Sequence, residues 1–198
     1  MTKTDPQAHV TRRRFVLAAI GNGGVLPPAV EALAVDVGRL AIDAGFRVVT
    51  GGLSGVMEAV CRGARASSSW RDGDILGILP GYDRRAANPY IDIVVPTGMQ
   101  IGRNIIVTAM ADVVLVIGGG AGTLSEIAVA WQLGKPIVAL EKTGGFAAEY
   151  AGKSIDARRN DVVLGAETAE EAIRISLELV ARERKEPGDI GSGWRNRE

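Results

Sequence analysis

The fold is decided by a stretch in the second half of the chain, residues 113–136, which reads VVLVIGGGAGTLSEIAVAWQLGKP. Its first five residues are branched and continuously apolar, which is typical of a strand that is covered on both faces. A glycine-rich turn follows. Apolar residues then recur at helical spacing as far as Trp131, and Gly134 and Pro136 end the pattern. The stretch therefore predicts a strand, a tight turn and a helix in succession.

The same alternation of short apolar runs and helical patterns extends along most of the 198 residues. Strands are predicted at residues 15–20, 47–50, 75–79, 91–95, 113–117, 137–140 and 161–164. The last helical pattern opens with Thr168 and Glu171 at the spacing of a capping box. Such alternation predicts the α/β class, with a three-layer, doubly wound, mostly parallel sheet of the Rossmann type in a single domain.

The predicted domain spans residues 14–181. We expect residues 1–13 to form a flexible tail, and residues 182–198, which are charged and lack apolar periodicity, to be disordered. Three arginines at 12–14 faintly resemble an export signal, but the apolar run after them is shorter than the roughly 7–15 residues that a signal needs. No segment approaches the roughly 18–20 apolar residues of a membrane span. We therefore expect a cytoplasmic protein that binds no membrane.

The charge balance and the scarcity of two residue types exclude several classes of function. The chain has 23 basic and 23 acidic side chains, and this zero net charge argues against nucleic-acid binding. With Cys61 and His9 as its sole cysteine and histidine, it has neither a disulfide framework nor a Cys/His metal site. His9 lies in a polar N-terminal stretch and is a poor candidate for a general base. Any chemistry must use carboxylates, arginine, hydroxyls and backbone amides.

Glycine is nearly twice as frequent as usual, with 26 residues where average composition gives roughly 14. Twelve of them fall in four clusters beside predicted strand ends or helix starts. Single tight turns use glycine too, but open α/β sheets bind ligands at this edge, where glycine lets backbone amides approach an anion. We predict a small phosphorylated ligand, bound by Gly21, Asn22, Gly23, Gly51, Gly52, Gly98, Arg103, Asn104, Gly118, Gly119, Gly120, Gly122 and Thr123.

Two common nucleotide-binding motifs fit the sequence badly. Leu26 stands where a dinucleotide fingerprint has glycine or alanine, and the second strand ends in Thr50 rather than in an acid that would bind ribose. The chain also lacks the Gly-x-x-x-x-Gly-Lys-Ser/Thr motif of P-loop proteins. The sequence therefore predicts neither NAD binding nor P-loop phosphotransfer.

Residues 118–126, GGGAGTLSE, are similar to the Pro-Gly-Gly-x-Gly-Thr-x-x-Glu signature of the "lysine decarboxylase-like" Rossmann superfamily. This superfamily includes the cytokinin-activating phosphoribohydrolases (the Lonely Guy family) and the molybdenum cofactor carrier proteins. Residues 50–59, 87–90 and 97–104 resemble the carrier branch in particular. The resemblance implies a homodimer or homotetramer and a bound molybdenum cofactor or nucleoside monophosphate, with no cofactor required for catalysis.

Glu126 and Arg103 are the candidates for catalysis. Thr123 and Glu126 have capping-box spacing, so one interpretation places both at a helix start in a structural role. The resemblance implies the other interpretation, in which Glu126 faces the bond to be broken. Arg103 matches, with one extra residue, the arginine of the phosphoribohydrolase Met-x-x-Arg-Lys element. Its partner is either a phosphate or a surface carboxylate.

Two departures from the phosphoribohydrolase pattern favour the carrier. Asn104 stands where those enzymes have lysine, and Gly118 stands where the signature has proline. The first hypothesis is therefore a protein that binds a phosphorylated pterin-like or nucleotide-like ligand without chemistry. Arg103 and Glu126 support the alternative, hydrolysis of a nucleoside 5′-monophosphate to free base and ribose 5-phosphate.

Overall fold

The computed structural model describes residues 13–157 and 159–185. The strands are β1 (Val16–Gly21), β2 (Arg47–Thr50), β3 (Ile75–Leu79), β4 (Ile93–Pro96), β5 (Val113–Ile117), β6 (Ile137–Leu140) and β7 (Leu164–Ala166). They form one parallel sheet in the order β4-β3-β2-β1-β5-β6-β7. The strand order reverses between β1 and β5, so the predicted doubly wound topology is confirmed.

Helices cover both faces of the sheet. They are α1 (Pro28–Asp43), α2 (Val56–Ala66), α3 (Arg103–Met110), α4 (Ala121–Gln132), α5 (Gly145–Tyr150) and α6 (Ala169–Lys185). Successive residues of β1 point to opposite faces. Leu17 and Ala19 enter a core that contains α1, α2 and α6, whereas Ala18 and Ile20 enter a core that contains α3, α4 and α5. This arrangement confirms the three predicted layers.

Most strands occur where the sequence predicts them. The intervals 47–50, 75–79, 113–117 and 137–140 agree residue for residue, and the strands predicted at 15–20 and 91–95 are displaced by one or two residues. The strand predicted at 161–164 instead covers Leu164–Ala166. Its displacement has a local cause, because the backbone of Val163 bonds to Gly152 and Lys153 at 2.8 and 2.9 Å and so is not free to join β6.

The final helix begins as predicted and extends further. Thr168 Oγ1 accepts a hydrogen bond from the backbone of Glu171 at 3.2 Å, as a capping residue does. The helix continues to Lys185, past the predicted domain boundary at residue 181. The rest of the predicted tail, residues 186–198, lies outside the described residues, as do residues 1–12. In the part of the chain that is described, no helix has the length and hydropathy to cross a membrane.

Three aspartates hold the amino-terminal edge of the sheet together. Asp74, Asp92 and Asp112 directly precede β3, β4 and β5. Asp92 accepts a hydrogen bond from the first backbone N–H of β3 at 3.0 Å, and Asp112 accepts one from that of β1 at 2.7 Å. Asp74 is buried and pairs with Arg14. One of the three arginines before the first strand is therefore an anchor of the sheet.

Helices α1 and α2 cross in direct backbone contact. A Cβ atom on Gly38 of α1 would lie 1.9 Å from the carbonyl oxygen of Val60, and one on Gly63 of α2 would lie 1.8 Å from that of Val35. Both distances are far below van der Waals contact. The crossing therefore requires glycine on each helix, and these two glycines have a packing role away from the sheet edge.

We expect the substitution Gly63→Ala to lower the free energy of unfolding by about 1–3 kcal/mol, because the added methyl group forces the two helices apart. Urea denaturation followed by circular dichroism measures the change. Gly81→Ala is the matched control, since a Cβ at position 81 meets no atom within 4 Å, and its effect should stay within about 0.5 kcal/mol. Equal stability of the two variants would contradict a close crossing.

Candidate functional site

A cleft of about 420 Å³ opens at the carboxyl-terminal edge of the sheet, where the strand order reverses. Its size falls within the range of small-molecule pockets, about 300–1,000 Å³. Topological switch points of this kind are the usual ligand sites of open α/β sheets. The cleft brings together most of the predicted site residues, namely Gly21, Asn22, Gly23, Gly51, Arg103, Asn104, Gly120, Gly122, Thr123 and Glu126.

Four other predicted binding residues do not line the cleft: Gly52, Gly98, Gly118 and Gly119. They lie in the turns that follow β2, β4 and β5. Six further residues line the cleft and were not predicted from the sequence, namely Ala19, Ile20, Met57, Pro80, Gln100 and Ile101. Most of these are apolar and carry no chemical signal in the sequence. Met57, Gln100 and Ile101 lie within segments 50–59 and 97–104, whose resemblance to the carrier proteins is the one signal in the sequence that could have identified them.

The turn after β5 departs from the superfamily signature. Gly118 has a φ of +61°, which a proline cannot adopt because its ring fixes φ near −65°. The next residue, Gly119, donates its backbone N–H to Oδ1 of Asn22. Asn22 therefore links the turn after β1 to the turn after β5, in addition to lining the cleft.

Helix α4 begins earlier than the capping-box interpretation requires. It starts at Ala121, with Gly120 as the N-cap and no side-chain cap. Thr123 is thus the third residue of the helix and Glu126 lies in its second turn, so the capping interpretation is wrong. The cause is the preceding glycine-rich turn, which lets the helix begin before Thr123. The first N–H groups of α4 are left without a side-chain acceptor, and they can bind an anion.

A hydrogen bond to the backbone of β3 holds the side chain of Arg103 in place. It is the first residue of α3, it is partly buried, and its Nη1 donates a hydrogen bond to the carbonyl oxygen of Ile78 at 3.0 Å. The guanidinium lies directly over Gly51, where a Cβ atom would approach Nη1 to 1.6 Å. No described carboxylate forms a salt bridge with Arg103. A surface carboxylate partner is therefore not observed, and the positive charge is available to a ligand.

Glu126 is a buried acid that shares the cleft with this cation. Only 7% of its surface is exposed, and burial raises its pKa from the usual 4.5 to about 7. The positive charge of Arg103 opposes that shift. Burial also lowers the pKa of Arg103, and the negative charge of the Glu126 carboxylate opposes this decrease. Near neutral pH, Glu126 is therefore divided between the acid and the carboxylate, as proton transfer requires.

Asn104 has a structural role beside these two groups. Its side-chain nitrogen donates to Oγ of Ser125 at 2.8 Å and to the carbonyl oxygen of Gly122 at 3.3 Å. These bonds join the start of α3 to the first turns of α4. Asn104 thus positions the predicted phosphate-binding turn and supplies no charge of its own, unlike a lysine.

The raised pKa of Glu126 makes the stability of the protein depend on pH. Folding favours the protonated acid, so the stability due to this group is complete below about pH 4.5 and is lost as the pH rises through about 7. We expect the wild type to lose up to about 3 kcal/mol relative to Glu126→Gln between pH 4.5 and 7.5. Urea denaturation of both proteins across this range measures the difference. A constant difference would contradict the shift.

Comparison with known proteins places this chain in a family. The model of the SLOG cluster4 family matches residues 14–173. The molybdenum cofactor binding protein of the phototrophic bacterium Rippkaea orientalis is 29% identical, with a TM-score of 0.73 over 85% of this chain and 98% of that one. The molybdenum cofactor carrier protein of Chlamydomonas reinhardtii is 28% identical, with a TM-score of 0.69 over 85% of this chain and 99% of that one.

An enzyme is also among the relatives. The cytokinin riboside 5′-monophosphate phosphoribohydrolase of Mycobacterium tuberculosis is 34% identical over 121 residues, which are 58% of this chain and 64% of that enzyme. The similarity thus reaches both the carriers and the phosphoribohydrolases, as the sequence motifs indicate. The resemblance to the "lysine decarboxylase-like" superfamily, close to its carrier branch, is confirmed, and the chain belongs to the SLOG cluster4 family.

Proposed function

We propose that the protein binds a small phosphorylated ligand with a pterin or nucleobase ring, and that this ligand is the molybdenum cofactor, held without chemical change. The observation that carries the proposal is the placement of Arg103. Its guanidinium is fixed over Gly51 by the carbonyl oxygen of Ile78 and forms no salt bridge with a described carboxylate. A partly buried cation in a cleft needs an anion, and a phosphate accepts the planar fork of an arginine.

The remainder of the cleft suits a ligand with one anionic and one apolar part. The uncapped start of α4 and the glycines after β1 offer backbone N–H groups to a phosphate. Met57, Pro80 and Ile101 supply apolar surface for a ring. The two similar proteins that are named for the molybdenum cofactor support this choice of ligand.

Two features favour binding over hydrolysis. Asn104 replaces the lysine of the phosphoribohydrolases and is engaged with the start of α4. Gly118 adopts a backbone conformation that is closed to the proline of the signature, so the turn beside the phosphate site has a different shape. Both differences lie next to the groups that the enzyme alternative requires.

Hydrolysis of a nucleoside 5′-monophosphate is the second candidate, and Glu126 is the observation that favours it. In this mechanism Arg103 holds the phosphate while Glu126, as an acid, gives a proton to the departing base. Its carboxylate then stabilises the ribosyl cation and directs a water molecule to the anomeric carbon. The products are the free base and ribose 5-phosphate, and the water supplies the new hydroxyl group and the proton that restores Glu126.

We also propose that the protein forms the homodimer or homotetramer that the family resemblance implies. Met99, Ile101 and Ile105 support it, because these apolar side chains close to the cleft are 49%, 70% and 54% exposed. Exposed apolar residues that are concentrated in one place are typical of protein interfaces.

Phosphate recognition by Arg103 is tested with AMP as the probe in isothermal titration calorimetry. Loss of a charge-assisted hydrogen bond costs about 1.5–3 kcal/mol, so we expect Arg103→Met to lower the affinity for AMP by about tenfold or more. Gly51→Ala should act in the same direction, because its methyl group displaces the guanidinium. Gly81→Ala is the control and should bind as the wild type does. If Arg103→Met bound AMP as tightly as the wild type, the proposed recognition of phosphate by Arg103 would be contradicted.

A turnover assay distinguishes the proposed carrier function from the proposed enzymatic function. The protein is incubated with AMP and with cytokinin riboside monophosphates, and ribose 5-phosphate is measured beside Glu126→Gln. The binding proposal predicts no release above that variant, together with pterin fluorescence from denatured, oxidised protein isolated from cells that make the molybdenum cofactor. Release at least 100-fold faster from the wild type would establish the enzyme instead. Absence of bound pterin, of nucleotide binding and of turnover would contradict both.

A further inference from the structure

We propose that the side-chain amide of Gln100 contacts the ring of the bound ligand and determines which heterocycle the cleft accepts. This inference rests on the ligand-binding function proposed above and adds a residue that selects among ligands. Gln100 lines the cleft beside Pro80 and Ile101, at the β3 end of the carboxyl-terminal edge, whereas α4 begins after β5. It is separate from the groups proposed to bind the phosphate, which are Arg103, the glycines after β1 and the start of α4.

The backbone of Gln100 adopts a conformation that glutamine disfavours. Its φ is +51°, and it is the one residue other than glycine with positive φ in the described ranges 13–157 and 159–185. Left-handed conformations cost non-glycine residues about 1 kcal/mol or more, and they concentrate at functional sites. Glycine would adopt the same conformation without this cost. The stability of the turn therefore does not explain why this position carries a large polar side chain.

Neighbouring hydrogen bonds impose the strained conformation. Gln100 donates its backbone N–H to the carbonyl oxygen of Pro80 at 2.9 Å, and Gly98 donates to that of Gly81 at 3.2 Å. The hydroxyl group of Thr97 donates to the carbonyl oxygen of Leu79 at 2.7 Å. Together these bonds join the segment after β4 to the segment after β3. They fix the direction in which the side chain of Gln100 leaves the backbone.

The amide group itself is free for a ligand. Gln100 is exposed, and its side chain has no hydrogen-bond partner among the residues that the structure describes. An amide donates through nitrogen and accepts through oxygen, so it can pair with a ring edge that presents an acceptor beside a donor. Glutamine binds adenine in this way in protein–DNA complexes. Pterins present similar edges.

The position of Gln100 relative to the phosphate site suits an elongated ligand. The phosphate-binding turn follows β5, whereas Gln100 bonds to the segment after β3. Three strand spacings separate β3 from β5 in the sheet, which is roughly 14 Å. Arg103, over the end of β2, lies between them. A ligand whose phosphate contacts both Arg103 and the turn after β5, and whose ring reaches Gln100, would span this distance.

The test compares ligands with and without a ring. Calorimetry measures the binding of AMP, of GMP and of ribose 5-phosphate to the wild type, to Gln100→Gly and to Gln100→Asn, and thermal unfolding measures their stability. We expect Gln100→Gly to bind its preferred nucleotide at least tenfold more weakly while its affinity for ribose 5-phosphate stays unchanged. Its Tm should not fall, and relief of the strained φ should raise it by about 2–4 °C.

The Asn variant controls for the amide, since asparagine tolerates positive φ and keeps the amide on a shorter chain. We expect it to bind between the wild type and Gln100→Gly. Equal nucleotide affinity of Gln100→Gly and the wild type would overturn the inference, and so would a wild type that binds ribose 5-phosphate as tightly as AMP and GMP. Failure of the proposed function is distinguishable, because the wild type would then bind none of the three compounds.

Discussion

The pairing of β1 with β5 depends on the absence of a side chain at Gly21. This residue stands opposite Ile117 in the register, and a Cβ atom on it would lie 2.3 Å from the Ile117 carbonyl oxygen. The same atom would lie within 3 Å of the side chain of Val56 at the start of α2. With glycine there, the turns after β1 and β5 enter one crevice and Asn22 can reach Gly119. The cleft, and the meeting of Arg103 with Glu126, follow from this close approach.

The parts of the molecule that the sequence predicts well are those in which local pattern and tertiary packing agree. Continuously apolar strands such as 113–117 are buried on both faces and occur as predicted. The prediction for 161–164 is displaced because Val163 bonds to a nearby loop instead. In the cleft, Arg103 and Glu126 were identified by spacing and family resemblance. The positive φ of Gln100 was not predictable, since the conformation is set by a bond to Pro80, which is distant in the sequence.

Four acidic side chains at the two ends of the sheet differ in how they are satisfied. Asp74, Asp92 and Asp112 lie at the amino-terminal edge, where arginines or strand N–H groups satisfy each of them. Glu126 lies at the opposite edge, where no described residue gives its carboxylate a hydrogen bond and the charge of Arg103 opposes the effect of burial on its pKa. A buried carboxylate whose hydrogen-bonding groups are all satisfied stabilises the sheet. A buried, unpaired one costs stability, which is typical of groups that serve ligand binding or catalysis.

This separation has a consequence for protein engineering. The ion pairs and hydrogen bonds of the aspartates, and the glycine crossing of α1 and α2, lie away from the residues that line the cleft. Distant sites contribute to stability nearly additively. Exposed lining side chains such as Gln100 and Ile101 can therefore be exchanged without touching those contacts. The domain is suited to redesign as a receptor for small ligands, with Gly21, Asn22, Gly51 and Asn104 as positions that a library should leave unchanged.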